Sequence, residues 1–561
     1  MACRANGTPF VTRTATQTAR PWSSVRPVVT DSGRVGIGSV KSTTSDHIER
    51  EVKLMADLDL ALPDLRGLVG GTYRLPEQEL RAAYLDTPDF RLWHQGVTLR
   101  HRLGEGPADG TWTMKLPEQP NDTTLDRTEL SWPGSRDEVP ATARRLLRGL
   151  VRSAELLQVA ELFTVRRPLE LRDAKGRGWA VLDDDIVTVR GGPRDGLRFR
   201  QVEVELADDG HEGTSSKVLD RVVGVLRKAG ARLDHAPKLA IALGLDAASD
   251  KEGADRIGKR SSLEAVVQAS INAGLDGLLD HDCRLRLRSD NPAPHDIHQA
   301  RVATRRLRSD LKTLRPALDP VWVRHTRDEL RWLGNALGNV RDVDVLTAEL
   351  SAPDQGSPTE AAGKRELLGH LAEQRRLGCQ QLAAALEDEE RYIPLLERLH
   401  VAGQTPPFRA KAGPGAGKKH SPVAEAPARS ALPRLVRTSW RSLHKQVRRA
   451  GDQPSNGELH RIRIKAKQVR YASELAAPVV GAPARRSATA AAKLQTVLGE
   501  HHDAVVAKEW LWSEALRASP WASFAAGQLS CEQGRRQQKF RRRWPKAWTG
   551  LDRRKVRGWL Q

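Results

Sequence analysis

Between about residues 46 and 245, charged side chains recur at a spacing of two among apolar neighbours, in short runs punctuated by Gly and Pro. This pattern predicts strands with one ionic face and one apolar face. The ionic positions are Glu49, Glu51 and Lys53; Arg100 and Arg102; Arg127 and Glu129; Asp183 and Asp185; Glu203 and Glu205. Val52, Leu54, Leu99, Leu130, Leu182, Val202 and Val204 stand between or beside them. Two helical stretches, 139–158 and 215–230, interrupt the strands. Residues 246–260 are polar and read as a linker. From 261 onward Leu, Ala and Arg recur at helical spacing, which predicts an all-α region to about 550. Within it, 403–433 is rich in Pro, Gly and Ala and reads as a flexible insert between a first helical unit, 261–402, and a second, 434–550.

The two units repeat one pattern. His298, Arg301, Arg305 and Arg308 lie at i, i+3, i+7 and i+10, and His460, Arg463, Lys467 and Arg470 have the same spacing. At about 100° per residue each set falls within about 80° of arc along roughly 15 Å of helix, a cation row suited to an extended polyanion. Arg306 adds a further charge beside the first row. Similar helix endings follow, Leu314-Arg-Pro-Ala-Leu318 and Leu475-Ala-Ala-Pro478. About 38 residues beyond each His come the related blocks Leu337-Gly-Asn-Val-Arg-Asp342 and Leu498-Gly-Glu-His-His-Asp503. A duplicated helical unit is the simplest account.

Composition narrows the ligand class. The chain has 561 residues, with 91 Lys and Arg against 70 Asp and Glu, a formal net charge of +21. That length holds two or three domains, and that charge favours an anionic partner. The four cysteines, Cys3, Cys283, Cys379 and Cys531, are scattered without a CxxC pair, so a reducing cytoplasm is expected and they read as small buried residues. No stretch reaches the roughly 20 apolar residues of a membrane span. Residues 1–45 read as a disordered basic tail. Nucleic acid is a weaker partner on this reading, because the cation rows lack interleaved aromatics and Trp322, Trp332 and Trp440 sit at core-like helical positions.

The strand region resembles the CYTH, or triphosphate tunnel metalloenzyme, superfamily. Glu49-Arg-Glu51-Val-Lys53 matches its ExExK signature, and Tyr84-Leu-Asp86-Thr-Pro88, Leu99-Arg100-His-Arg102, Trp112-Thr-Met-Lys115, Arg127-Thr-Glu129, Val181-Leu-Asp183, Val202-Glu203-Val-Glu205 and Pro237-Lys238 follow in the family's order. The resemblance implies an eight-stranded antiparallel tunnel that binds triphosphate and Mg²⁺ or Mn²⁺. Glu49, Glu51, Glu203 and Glu205, with Asp183 as a further candidate, would ligate metal. Those four glutamates and Lys53 would form the catalytic set. Arg100, Arg102, Lys115, Arg127 and Lys238 would contact phosphates, and Arg166 or Arg167 would join them; Arg167 is taken as the substrate-binding member.

The helical region resembles the CHAD domain, on the His298-x-x-Arg301-Val-x-x-Arg305-Arg306-Leu-Arg308 and Leu337-Gly-x-x-Arg-Asp342-x-Asp344-Val-Leu segments. That resemblance implies two pseudo-symmetric four-helix bundles, with His298, Arg301, Arg305, Arg306, Arg308, His460, Arg463, Lys467 and Arg470 contacting polyphosphate. Asp342, Asp344 and Asp503 read as helix-capping or Arg-orienting residues, and metal ligation by His501 and His502 as a minor alternative, because adjacent helical positions diverge by about 100°. On these readings the chain is expected to be an α+β, two-domain cytoplasmic phosphohydrolase, associated with polyphosphate granules, whose partners are inorganic triphosphate and polyphosphate. A non-enzymatic polyphosphate binder, an adenylyl cyclase and an organic triphosphatase remain alternatives.

Overall fold

A computed structural model describes residues 45–49, 51–117, 127–173, 175–206, 212–234, 236–245, 257–351, 358–409 and 423–560. Residues 1–44 of the expected N-terminal tail, and most of the expected linker, lie outside these residues, and Ser45 opens the first strand.

The N-terminal strands form one antiparallel sheet. They are β1 (Ser45–Glu49), β2 (Glu51–Ala56), β3 (Gly71–Arg74), β4 (Gln78–Asp86), β5 (Thr98–Leu103), β6 (Thr111–Pro117), β7 (Arg127–Pro133), β8 (Leu157–Arg172), β9 (Gly178–Arg190), β10 (Arg198–Leu206) and β11 (Arg232–Leu233). The order is β1-β7-β6-β5-β4-β8-β9-β10-β2-β11, with β3 paired to β8. β1 pairs with β7 and β2 with β10, yet a single residue separates β1 from β2. The 45–56 segment therefore hydrogen-bonds at both ends of the path and closes the sheet on itself. Taken as one stave, it makes eight with β4 to β10, while β3 and β11 are short additions. Closure removes the free edges that an open sheet would expose.

Side-chain alternation then sorts the two faces. Glu51 and Lys53 point into the lumen while Leu54 and Ala56 point out; Arg100 and Arg102 point in while Leu99 points out. The outward faces are covered by helices. Leu54, Val202 and Val204 pack under Leu219, Val222 and Leu226 of α3 (Glu212–Lys228). Leu99, Met114, Leu116 and Leu130 pack under Leu146, Leu147 and Leu150 of α2 (Ala141–Val151). Short helices α1 (Arg91–His94) and α4 (Lys238–Leu243) complete the domain.

The second region is helical: α5 (Leu263–Leu287), α6 (Pro294–Leu314), α7 (Pro320–Leu350), α8 (Pro358–Glu387) and α9 (Tyr392–Gln404), then α10 (Ala428–Ala450), α11 (Asn456–Val480), α12 (Ala482–Ala515), α13 (Pro520–Asp552) and α14 (Arg554–Arg557). Each unit thus has four long helices and a short fifth. Local sequence sets the starts. The Ser262 side chain accepts from Ala265 N, Asp319 precedes Pro320 and accepts from Val321 and Trp322 N, and Ser455 and Glu458 form a reciprocal capping box.

Three expectations need correction. Only 410–422 of the expected 403–433 insert lies outside the described residues. Its flanks are built into the fold: Phe408 packs on the core and α10 begins at Ala428, with Ala428 and Leu432 fully buried. Neighbouring Pro and Gly mask the helical spacing of the small apolar residues there. Pro478 does not end α11, which runs to Val480 and stops at Gly481, whose φ of 83° favours glycine. Cys283 and Cys379 are buried, but Cys531 is exposed.

The two regions share a core. Leu146, Leu147 and Leu150 of α2 belong to the same apolar cluster as Ile271, Leu275 and Leu279 of α5, and the Cys283 thiol donates to Leu146 O. At the rim, Arg148 holds Glu389 at 2.7 and 2.8 Å, and Arg91 and Arg152 lie against Glu397.

Candidate functional site

The lumen of the closed sheet is a cavity of about 510 Å³, lined mainly by ionic side chains. Strand register places them. Glu51 lies opposite Glu205 on the β2–β10 pair, Lys53 opposite Glu203, and Asp183 of β9 opposite Glu203 from the other side. Like charges directly across a ladder are destabilising, so two such carboxylate pairs in one wall mark a place for positive charge. Arg100, Arg102 and Lys115, from β5 and β6, supply the basic side.

These charges are desolvated and interlocked. Lys53 Nζ lies 2.9 Å from Glu51 and 3.1 Å from Glu203, and Lys238 Nζ lies 2.7 Å from Asp185 and 2.8 Å from Glu203. Arg166 reaches Asp183 at 2.5 Å and Asp185 at 2.8 Å. Burial opposes ionisation of Glu203, but Lys238, Lys53 and Arg166 outweigh it and hold its pKa well below the carboxylate range. Asp183 is pushed up to about 6 by burial, with Asp185 and Glu203 adding to the effect against the pull of Arg166. Arg102 is lowered by burial and by Arg100. Tyr84, missed as a lumen residue, hydrogen-bonds Arg100; burial raises its pKa, and Arg100, Lys238 and Lys115 more than offset that.

The structure therefore gathers Glu51, Lys53, Arg100, Arg102, Lys115, Asp183, Glu203, Glu205 and Lys238 around one space. Glu49 and Arg127 are register partners on β1 and β7, and their side chains lie outside the described residues. Arg167 is corrected. It is exposed and points outward to Glu77 at 2.8 Å, whereas Arg166 lies opposite Asp185 and faces the lumen. Alternation along β8 admits only one of two adjacent arginines. Parity also finds Asp185, which shares the face of Asp183 and is fully buried. Asp86 serves the fold: its carboxylate accepts from Thr87, Leu92 and Trp93 N and fixes α1.

In the helical region, α6 and α11 pack against each other and bring the two cation rows together. Arg305 Nε donates to the Tyr471 hydroxyl at 2.8 Å, and Arg306 approaches Glu474 at 3.5 Å. Lys467 is lowered to about 7 by burial and then by Arg463, Arg305 and Arg301, so cations from both rows act on one amine. Arg301 pairs with Asp342 at 3.1 Å and Arg463 with Asp503 at 3.4 Å. His298 and His460 are both lowered by burial and by neighbouring arginines.

A CYTH domain model matches residues 47–220 and a CHAD domain model matches residues 269–512. An uncharacterized Mycobacterium tuberculosis protein, MT2285 of strain CDC 1551 / Oshkosh, is 31% identical over 495 residues, covering 84% of this chain and 90% of that protein. The chain belongs to the CYTH–CHAD family. Among solved structures, the CHAD domain of the plant Ricinus communis aligns with 25% identity over 53% of this chain and 94% of its own, at a TM-score of 0.42. HpAC1 from Hippeastrum, described as having a dominant triphosphatase activity, aligns with 16% identity over 35% of this chain and 95% of its own, at 0.23.

The CHAD geometry explains the second sequence block. A Cβ on Gly338 would meet Arg301 Nη1 at 2.5 Å, and one on Gly499 would lie 3.8 Å from Arg463. The first block thus opens a seat for Arg301 at Gly338, whereas Gly499 leaves room for a side chain beside Arg463; each block supplies the carboxylate that orients its row's arginine. Asp342 and Asp503 lie inside helices and do not cap them; Asp344 pairs with Arg375 at 2.7 Å. His502 lies against His460, with Nδ1 atoms 3.2 Å apart, and is lowered to about 3 by burial and by Arg463. His501 is buried and lowered to about 4. Arg308 and Arg470 leave the shared cluster: Arg308 sits beside Arg327 and Arg331, and Arg470 pairs with Glu474 at 2.7 Å. No described helix is long and apolar enough to cross a membrane.

Proposed function

We propose that the CYTH tunnel hydrolyses inorganic triphosphate or short polyphosphate with a divalent cation, and that the facing CHAD rows bind polyphosphate. The observation that carries the reading is a lumen that gathers the carboxylates Glu51, Glu205, Glu203 and Asp183, with Lys53, Arg166 and Lys238 among them, and the cations Arg100, Arg102 and Lys115, of which Arg102 pairs with Glu105 and Lys115 with Glu129. A linear triphosphate needs both: cationic donors for its non-bridging oxygens, and carboxylates for a hard metal and for orienting water.

The donor set fits Mg²⁺ or Mn²⁺ in its chemistry, being all carboxylate oxygen, although no group of three or more such ligands is gathered at one point among the described residues. Glu51 and Glu205, with Glu49 from the same motif and Glu203 beside them, would hold the cation, and Asp183 would stand next to them. The bound cation would supply charge neutralisation and lower the pKa of an attached water. Arg100, Arg102 and Lys115 bind and align the phosphate chain, and Lys53 and Lys238 keep Glu203 ionised. Burial of these groups strengthens each contact relative to water.

With Mg²⁺ or Mn²⁺, the purified chain is expected to release orthophosphate from triphosphate, and Glu51→Gln to lower the rate by at least about 10²-fold. No release across both metals with inorganic, thiamine and nucleoside triphosphates would remove the enzymatic reading. The engagement of Glu203 by Lys53, Lys238 and Arg166 supports a second reading, a tunnel that only binds. That reading requires triphosphate affinity to survive both chelation and Glu51→Gln.

A further inference from the structure

A second cavity is larger than the tunnel lumen. It is a groove of about 900 Å³ between the N-terminal half of α12 and the C-terminal half of α13, two helices that carry neither cation row. Arg485, Arg486 and Lys493 line it from α12, and Arg542, Arg543 and Lys546 face them from α13. All six are exposed, and Arg553 stands at the same opening. Ala490, Val497, Ala547 and Val556 form the floor. The wall is fixed: Ser487 Oγ donates to Val556 O and accepts from Trp559 Nε1 at 2.7 Å, which ties the end of the chain to α12.

Three observations separate this groove from an ordinary solvated face. Its lining holds no carboxylate, and none of its cations forms an ion pair among the described residues, whereas tunnel cations are matched by acids. So many like charges around one hollow repel one another in the free chain, and an anion relieves that repulsion. The corresponding end of the first helical unit has the opposite sign. There α8 ends at Glu387 and is followed by Asp388-Glu389-Glu390, which receives Arg145 and Arg148 of α2, while Arg391 covers Trp332 at 4.3 Å and pairs with Glu329. One end of the duplicated fold is acidic and occupied by protein; the other is basic and open. The lining also has no aromatic ring to stack a base and no amide to read one.

We infer that the α12–α13 groove is a second binding site for condensed inorganic phosphate, separate from the facing rows of α6 and α11. It rests on the polyphosphate reading above only for the identity of the ligand. Six cations on two walls match a linear anion that carries about one charge per phosphate, and the absence of base-reading groups favours a ligand without bases.

Titration calorimetry of the full chain with linear polyphosphate of about ten units, short enough to occupy one site at a time, should resolve two binding events. Replacing Arg485, Arg542 and Lys546 together by Gln should weaken one event about tenfold or more, leave the other unchanged and leave the melting temperature unchanged, since all three side chains are exposed. Arg301→Ala with Arg463→Ala should remove the other event. If the triple variant keeps both events, or if the parent shows a single event that depends on Arg301 and Arg463, the groove is not a site and the facing rows are unaffected. If the triple variant abolishes the only event and the Arg301 and Arg463 changes do nothing, the groove stands and the facing-row reading falls. Groove-dependent binding of a uniform RNA but not of polyphosphate would overturn the ligand class.

Discussion

Lys467 shows how a single residue can carry a condition on binding. With its pKa lowered to about 7 by burial and three arginines, its amine is mostly neutral above that value. A phosphate chain favours the charged form, so binding takes up a proton. Polyphosphate affinity is expected to fall as pH rises from about 6 to about 8, and Lys467→Met to flatten that dependence, as read by titrations in buffers of different ionisation enthalpy. Arg301, Arg305 and Arg463 are the cations that face the Lys467 amine, and Asp503, raised by burial, is an acid that faces it. The stability term has the opposite sense. The unfolded lysine, with its ordinary pKa, binds more protons between about 7 and 10.5, so this residue's contribution to stability rises with pH across that window.

At the scale of elements, the Leu337-Gly-x-x-x-Asp342 block of α7 seats Arg301 of α6, and Asp503 of α12 holds Arg463 of α11. Gly338→Ala should move the Arg301 guanidinium, a flexible group, off Asp342 without breaking the helix. We expect a loss of about fivefold in polyphosphate affinity with a melting temperature near that of the parent, checked by parallel binding and thermal measurements. Strand parity was the most legible feature of the sequence. It separated Glu51, Lys53, Arg100, Arg102, Asp183, Glu203 and Glu205 from their apolar neighbours, because a period of two maps directly onto two faces. It failed at Arg166 and Arg167, where two like residues are adjacent and only the pairing of β8 with β9 decides between them. The His460 contact with His502 was equally illegible, since it depends on the packing of α11 on α12 and not on spacing within either helix. The α12–α13 groove escaped notice because its cations come from two separate helices, each unremarkable in its own spacing.

At the scale of the molecule, the tunnel and the helices share one apolar core through α2 and α5, so they should unfold together. Calorimetry of the full chain is expected to give a single endotherm. Leu146→Ala, at a fully buried position in the joint, should lower stability by about 2–5 kcal/mol, while Arg148→Ala, at a partly exposed ion pair, should change it by about 1 kcal/mol or less. Separate transitions for the two regions would show that the joint carries little of the stability. Closure of the sheet has a consequence for how the protein comes into being. The first stave, 45–56, finds one of its hydrogen-bonding partners in β10, which is made about 150 residues later, and loop closure over that distance is slow. Glu51 and Glu205 face each other only when that last ladder forms. A chain in which that ladder has not formed therefore holds only the β9–β10 part of the acidic wall, Asp183 beside Glu203, and joining the first stave to β10 is the step that brings Glu51 and Lys53 to it.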